Sequence, residues 1–148
     1  SQITRGVVYE LVSRELPVRI LTRSSIAVKD VDLFTQYSNL VTVGSSIPSL
    51  KEELVRAIEP GAPPPLTRWQ MLDMLRMQGI SVFVSMSPTY PTLDEHELFR
   101  LITRFKAIEP RVVFHEPVNP RGENFQMLVD ALEEGGMTEE AKKFREKK

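Results

Sequence analysis

Four short apolar runs in this sequence each end on polar side chains, and those side chains are its best candidates for chemistry. Val18-Arg19-Ile20-Leu21 runs into Thr22, Arg23 and Ser24, and Leu40-Val41-Thr42-Val43 runs through Gly44 into Ser45 and Ser46. Ile80-Ser81-Val82-Phe83-Val84 runs into Ser85 and Ser87, and Arg111-Val112-Val113-Phe114 into His115, Glu116 and Asn119. A guanidinium such as that of Arg23 matches a carboxylate or phosphate with paired hydrogen bonds. The hydroxyls of Ser45, Ser46 and Ser85, with the Asn119 amide, suit a ribose or a backbone-like group. A lone Ser or Thr at a strand end is ordinarily a turn or cap residue. Four such ends in succession mean more, because parallel strands would bring them to one rim, where α/β proteins bind ligands.

Other chemical candidates are weaker. His115 and Glu116 resemble an acid-base pair, but neighbours in a strand face opposite ways, so only one can reach a shared site. His96 sits among Asp94, Glu95 and Glu97 and reads as a solvated surface residue. Met71, Met74 and Met77 read as gap-filling core residues. The sequence has no cysteine and two histidines, which excludes disulfides, thiolate nucleophiles and cysteine-ligated metals within these residues. It contains neither a glycine-rich phosphate loop nor a G-x-S-x-G nucleophile elbow, which argues against a hydrolase.

The elements that must position the rim follow from periodicity. Ile3, Val7, Val8, Leu11 and Val12 mark a helix over residues 3–15, ended by Pro17. Strands are predicted over residues 18–21, 40–43, 80–84 and 111–114. Helices are predicted over 29–37, from a Ser49-x-x-Glu52 capping box to about 58, over 66–78 with Trp69, Leu72 and Leu75 inward, and from a Thr92-x-x-Glu95 capping box to 107 with Leu98, Leu101, Ile102 and Phe105 on one face. Gly79 and Gly135-Gly136 read as helix stops. Residues 125–132 form a further helix, and a charged one runs from Thr138 to Lys147-Lys148. The gaps between strands suit crossover helices and are too long for hairpins.

At 148 residues the chain fits one domain, residues 1–148, able to bury roughly 70% of its unfolded surface. Glu59-Pro60-Gly61-Ala62-Pro63-Pro64-Pro65 reads as an ordered internal turn rather than a domain boundary. A net charge of -1 gives no global pull toward nucleic acid or anionic membrane. No apolar run approaches the ~18 residues of a membrane span, and the opening residues do not read as a signal peptide. A cytoplasmic location is the expectation.

Ile20-Leu21-Thr22-Arg23-Ser24, the short helix with Asp30 and Asp32, Val41-Thr42-Val43-Gly44-Ser45-Ser46-Ile47 and above all Glu59-Pro60-Gly61-Ala62-Pro63 resemble the radical S-adenosylmethionine (radical SAM) proteins akin to spore photoproduct lyase, often labelled DNA repair photolyases. Gly79-Ile80 entering a strand that ends at Ser85 to Pro88, and Glu116-Pro117-Val118-Asn119, support the likeness, which covers essentially all of the sequence. The fold it implies is α/β: a partial parallel (β/α) barrel of about four strands with flanking helices, a truncated TIM-like barrel. Such proteins carry a C-x-x-x-C-x-x-C loop after the first barrel strand that holds a [4Fe-4S] cluster. This sequence lacks it and begins at what would be the second barrel helix. The resemblance suggests S-adenosylmethionine contacts at Arg23 and at Ser45 or Ser46, with Ser85 and Asn119 behind them.

The activity implied for an intact parent is lyase-like: reductive cleavage of S-adenosylmethionine to a 5′-deoxyadenosyl radical that abstracts a substrate hydrogen. The substrate is left open, DNA included. This chain alone is expected to be inactive, binding neither cluster nor S-adenosylmethionine appreciably. The alternative is a non-catalytic α/β binding module whose rim recognises a small anion or a partner protein. The first strand is expected to be an open edge, covered by the amino-terminal helix or by self-association.

Overall fold

Strand and helix alternate as the two hydrophobic periodicities require, in a computed structural model that describes residues 2–146. Helix α1 (Gln2–Val12) leads into β1 (Val18–Leu21), a 3-10 turn (Ser25–Asp30), α2 (Val31–Gln36) and β2 (Val41–Ser46). Then come α3 (Glu52–Ile58), α4 (Pro65–Met77), β3 (Ser81–Thr89), α5 (Glu95–Ala107), β4 (Val113–Pro117), α6 (Glu123–Glu134) and α7 (Thr138–Arg145). The strands form one sheet in the order β1-β2-β3-β4, and all three pairings are parallel. The fold is therefore α/β, with a four-stranded parallel sheet and flanking helices.

Strand alternation sorts the sheet into two unlike faces. On one face Val41, Val43, Val82, Val84 and Met86 pack with Val8 and Val12 of α1, Leu33 and Phe34 of α2, Met71, Leu72 and Leu75 of α4 and Leu101 and Phe105 of α5. By register the other face carries Arg19 and Leu21, Thr42, Gly44 and Ser46, Ser81, Phe83 and Ser85, and Phe114. None of these belongs to that core. A second cluster lies beyond the strand ends, where Leu54 of α3 and Tyr90 meet Phe125, Val129 and Leu132 of α6 and Phe144 of α7.

Several boundaries and caps depart from expectation. Strand β3 reaches Thr89, and β4 begins at Val113 with a register shift opposite residues 86–89. Ser49 does not cap α3: its hydroxyl donates to the Glu97 carboxylate, which also accepts the Leu50 N–H at 3.1 Å. Thr92 does not cap α5; Asp94 does, accepting from the Glu97 N–H at 2.7 Å. In the first case the Glu97 carboxylate, anchored across the molecule, takes the role assigned to Glu52; in the second the Asp94 carboxylate accepts the Glu97 N–H in place of Thr92. Gly79 stops α4 as expected, with φ of 78°. Of the three methionines only Met71 is buried, while Met77 is 77% exposed. Leu98 and Ile102 of the predicted inward face of α5 are exposed as well. Helix α1 buries only Val8 and Val12 of its stripe, leaving Ile3 80% and Val7 55% exposed. Lys147 and Lys148 lie outside the described residues. No helix among the described residues is long and apolar enough to cross a membrane.

Candidate ligand rim at the strand ends

Glu59 is the hub of the rim. The backbone turns back at this point, with the Ala62 N–H donating to the Glu59 carbonyl at 3.0 Å; Pro60 and Gly61 occupy the two central positions that favour those residue types. The turn aims the Glu59 carboxylate between two arginines. Its Oε1 accepts from Arg23 Nε at 3.0 Å and its Oε2 from an Arg68 terminal nitrogen at 2.7 Å. Arg68 is fully buried, and its other bonds run to the Ser46 carbonyl at 3.0 Å and the Pro63 carbonyl at 2.7 Å. A buried guanidinium with a carboxylate and two carbonyls as partners satisfies the requirement that a buried charge be paired and hydrogen-bonded. Arg23, with a side chain 48% exposed, uses only Nε in this contact. Its terminal nitrogens make no bond to Glu59.

Tyr90, just past β3, is 2% exposed and its hydroxyl has no hydrogen-bond partner among the described residues. Burial pushes its phenol well above the ordinary range and the Glu59 charge adds to this, while Arg23 and Arg68 oppose it. The phenol is therefore a neutral donor held within the field of the Arg23–Glu59–Arg68 group.

The candidate residues read from sequence separate into those this network gathers and those it does not. Arg23 is joined through Glu59 and Arg68 to the backbone of Ser46, and Ser46 lies beside Ser85 in register. Ser46 and Ser85 share the face opposite the helical core, where both are buried, at 2% and 6% exposure. The Ser46 hydroxyl donates to the Ser87 carbonyl at 2.9 Å, leaving its oxygen as an acceptor. Ser45, one residue earlier, turns to the helical face, is fully buried and donates to the Thr22 carbonyl at 2.6 Å. Its role is to tie β2 to the end of β1. Asn119 is exposed beyond β4 and accepts the Arg121 N–H at 3.0 Å, a turn of its own with no bond to the network among the described residues. Thr22 and Ser24 serve as turn and cap residues around the 3-10 turn. His115 contacts Thr89 Oγ1 at 2.9 Å through Nδ1, away from Glu59.

Arg68 and Tyr90 were not foreseen, and Glu59 was seen only as part of a turn. One signal did exist. Arg68 is a basic residue in the first turn of a helix with no acid there, where the helix dipole disfavours a cation. A carboxylate partner from elsewhere was required.

No family model matches the sequence, and no solved structure matches it. An uncharacterized protein of Acidianus two-tailed virus is 32% identical over 118 residues, covering 76% of this chain and 39% of the viral protein. An uncharacterized protein of Methanocaldococcus jannaschii is 30% identical over 96 residues, covering 65% of this chain and 36% of its own length. One from Mycobacterium tuberculosis is 27% identical over 92 residues, covering 61% of this chain and 27% of its own length. The chain thus spans between 27% and 39% of the length of these curated relatives.

Proposed function

We propose that these residues form part of the barrel of a radical SAM enzyme akin to spore photoproduct lyase, and that they supply the rim on which S-adenosylmethionine is positioned. The observation that carries this reading is the order of the sheet. Four parallel strands in sequential order, with α1, α2, α4 and α5 packed on one face, follow the grammar of a (β/α) barrel wall. A doubly wound sheet reverses its strand order and covers both faces.

The residues present do not fit an iron-sulfur cluster. The sequence has no cysteine, and among the described residues no three His, Asp or Glu side chains gather as metal ligands. The reading therefore assigns the cluster ligands to polypeptide outside these 148 residues. Arg23, Ser46 and Ser85 would hold the polar parts of S-adenosylmethionine, which would supply radical chemistry only after one-electron reductive cleavage by a cluster bound outside these residues. The outward nitrogens of Arg23 match its carboxylate, Glu59 fixes the guanidinium by Nε, and Ser85 with the Ser46 oxygen suits a ribose hydroxyl. Iron and sulfide reconstitution of the full-length parent, followed by assay for 5′-deoxyadenosine, tests the reading. The product is expected from the reconstituted parent and not from this chain. A parent that never yields cluster or product rejects it.

The second reading is a binding module for a small anion. The Arg23 nitrogens left free by Glu59 favour it, since they need no cofactor to be useful. That reading predicts an anion complex with this chain alone that R23Q abolishes.

A further inference from the structure

The face of the sheet opposite the helical core holds a second cation that the rim does not use. Arg19 of β1 reaches across β2 and lays its guanidinium carbon 5.4 Å from the Phe83 ring centroid and 5.2 Å from that of Phe114. The two rings meet edge to face, with centroids 5.7 Å apart and planes at 86°. Gly44 makes the arrangement possible. A Cβ at that position would lie 2.4 Å from two Phe83 ring carbons, so only glycine lets the ring lie across β2. Phe83 is consequently 2% exposed although it lies on the face opposite the helical core.

We infer that this face is an oxyanion site, with Arg19 as the contact for a phosphate or carboxylate group. Aromatic rings attract the face of a guanidinium and leave its N–H edges free in the plane. Arg19 makes no ion pair or hydrogen bond among the described residues, although Glu116 projects from the same face of β4. Thr42 and Ser81 occupy the same cross-strand row as Arg19 and flank it with hydroxyls. The rings hold the guanidinium in place before any ligand arrives, which reduces the ordering cost of binding. Arg104 supplies an internal contrast. It sits 5.6 Å from the Trp69 ring centroid on the helical side, and its own carbonyl accepts the Trp69 indole N–H at 3.0 Å. That pair closes on itself as a surface cover.

The inference rests on this chain's own sheet and stands whether or not the cofactor reading does. Its test is a titration of the isotope-labelled chain with inorganic phosphate and, separately, with acetate, followed by NMR at the Arg19 Nε–H and the Thr42 and Ser81 amides. Saturable shifts at these positions, absent at the Arg104 Nε–H, are expected; the stronger of the two anions identifies the group. R19Q is expected to weaken binding about ten-fold or more. R19K, which keeps the charge without the planar fork, is expected to weaken it several-fold with the fold intact. Non-saturable shifts, parallel shifts at Arg104, or R19K binding like the wild type would each overturn the site.

Discussion

At the residue scale the rim is a ladder of unequal charges sharing one carboxylate. Glu59 has a side chain 13% exposed, with fully buried Arg68 on one oxygen and half-exposed Arg23 on the other. Removing one member of a buried pair strands the other, at a cost of about 3–5 kcal/mol, whereas an exposed pair is worth about 0–1 kcal/mol. R68M is therefore expected to be the most destabilising change on the rim, and R23Q nearly neutral for folding, as measured by urea unfolding. An R23Q loss comparable to that of R68M would show that Arg23 holds the rim up rather than facing a ligand. Gly44 makes a separate prediction. Its contact with the Phe83 ring implies that G44A overpacks the face opposite the helical core and costs about 1–3 kcal/mol. F83L in the same chain should restore part of that loss, because neighbouring substitutions that share a contact do not add.

At the element scale the first helix is tied on by charge. Arg5 of α1 bonds Asp32 of α2 at 2.8 and 2.6 Å and Asp30 at 3.1 Å. The Arg5 hydrogen bond is the largest cause that lowers the Asp32 carboxyl from 3.8 to about 2, with the Leu33 backbone N–H next. A carboxyl whose folded pKa is depressed favours the folded state above its unfolded value and loses that contribution as pH falls through the folded one. The attachment should thus weaken between pH 3.8 and about 2, and D32N should flatten stability across that window. Thermal melts at stepped pH check this, and an unchanged slope in D32N would reject it. Asp94, lowered chiefly by the Glu97 N–H it accepts, contributes in the same direction and is the control. Element identity was legible in the sequence because each strand and helix follows its own hydrophobic period. Caps were less so. The S-x-x-E and T-x-x-E spacings are local, whereas Ser49 finds its carboxylate 48 positions away in Glu97. The rim was half legible for the same reason. Arg23 stands at a strand end that periodicity locates, but its link to Arg68 exists only after the Glu59 turn has folded. The separation of Ser45 from Ser46 follows from strand alternation and could have been read in advance.

At the scale of the whole molecule β1 is an edge of the sheet among the described residues. The Val18 and Thr22 N–H groups donate to the Leu40 and Gly44 carbonyls of the neighbouring strand, so alternation turns the Arg19 and Leu21 N–H groups outward, toward no other described strand. Helix α1 lies alongside, yet its outer stripe remains exposed at Ile3 and Val7, and Leu21 and Ile26 beside it are 57% and 54% exposed. Between them is a cavity of about 310 Å³ bordered by Val8, Ile20 and Phe34. Unpaired strand groups beside apolar surface form a template for further strands or for a second chain. The barrel reading and the module reading part here. In a parent barrel the Arg19 and Leu21 amides pair with an added strand, so their hydrogen exchange should be strongly slowed relative to this chain. In a complete module they exchange alike in both. This chain alone should self-associate with rising concentration, and a V7K/L21K variant should sediment as a monomer with an unchanged circular dichroism spectrum. If the two amides exchange as fast in the full-length parent as in this chain, no strand is added at β1 and the barrel reading is rejected. Slow exchange confined to the parent would place the face that carries Arg19 and its two rings inside an enclosed wall. The oxyanion site would then open onto the same interior as the rim.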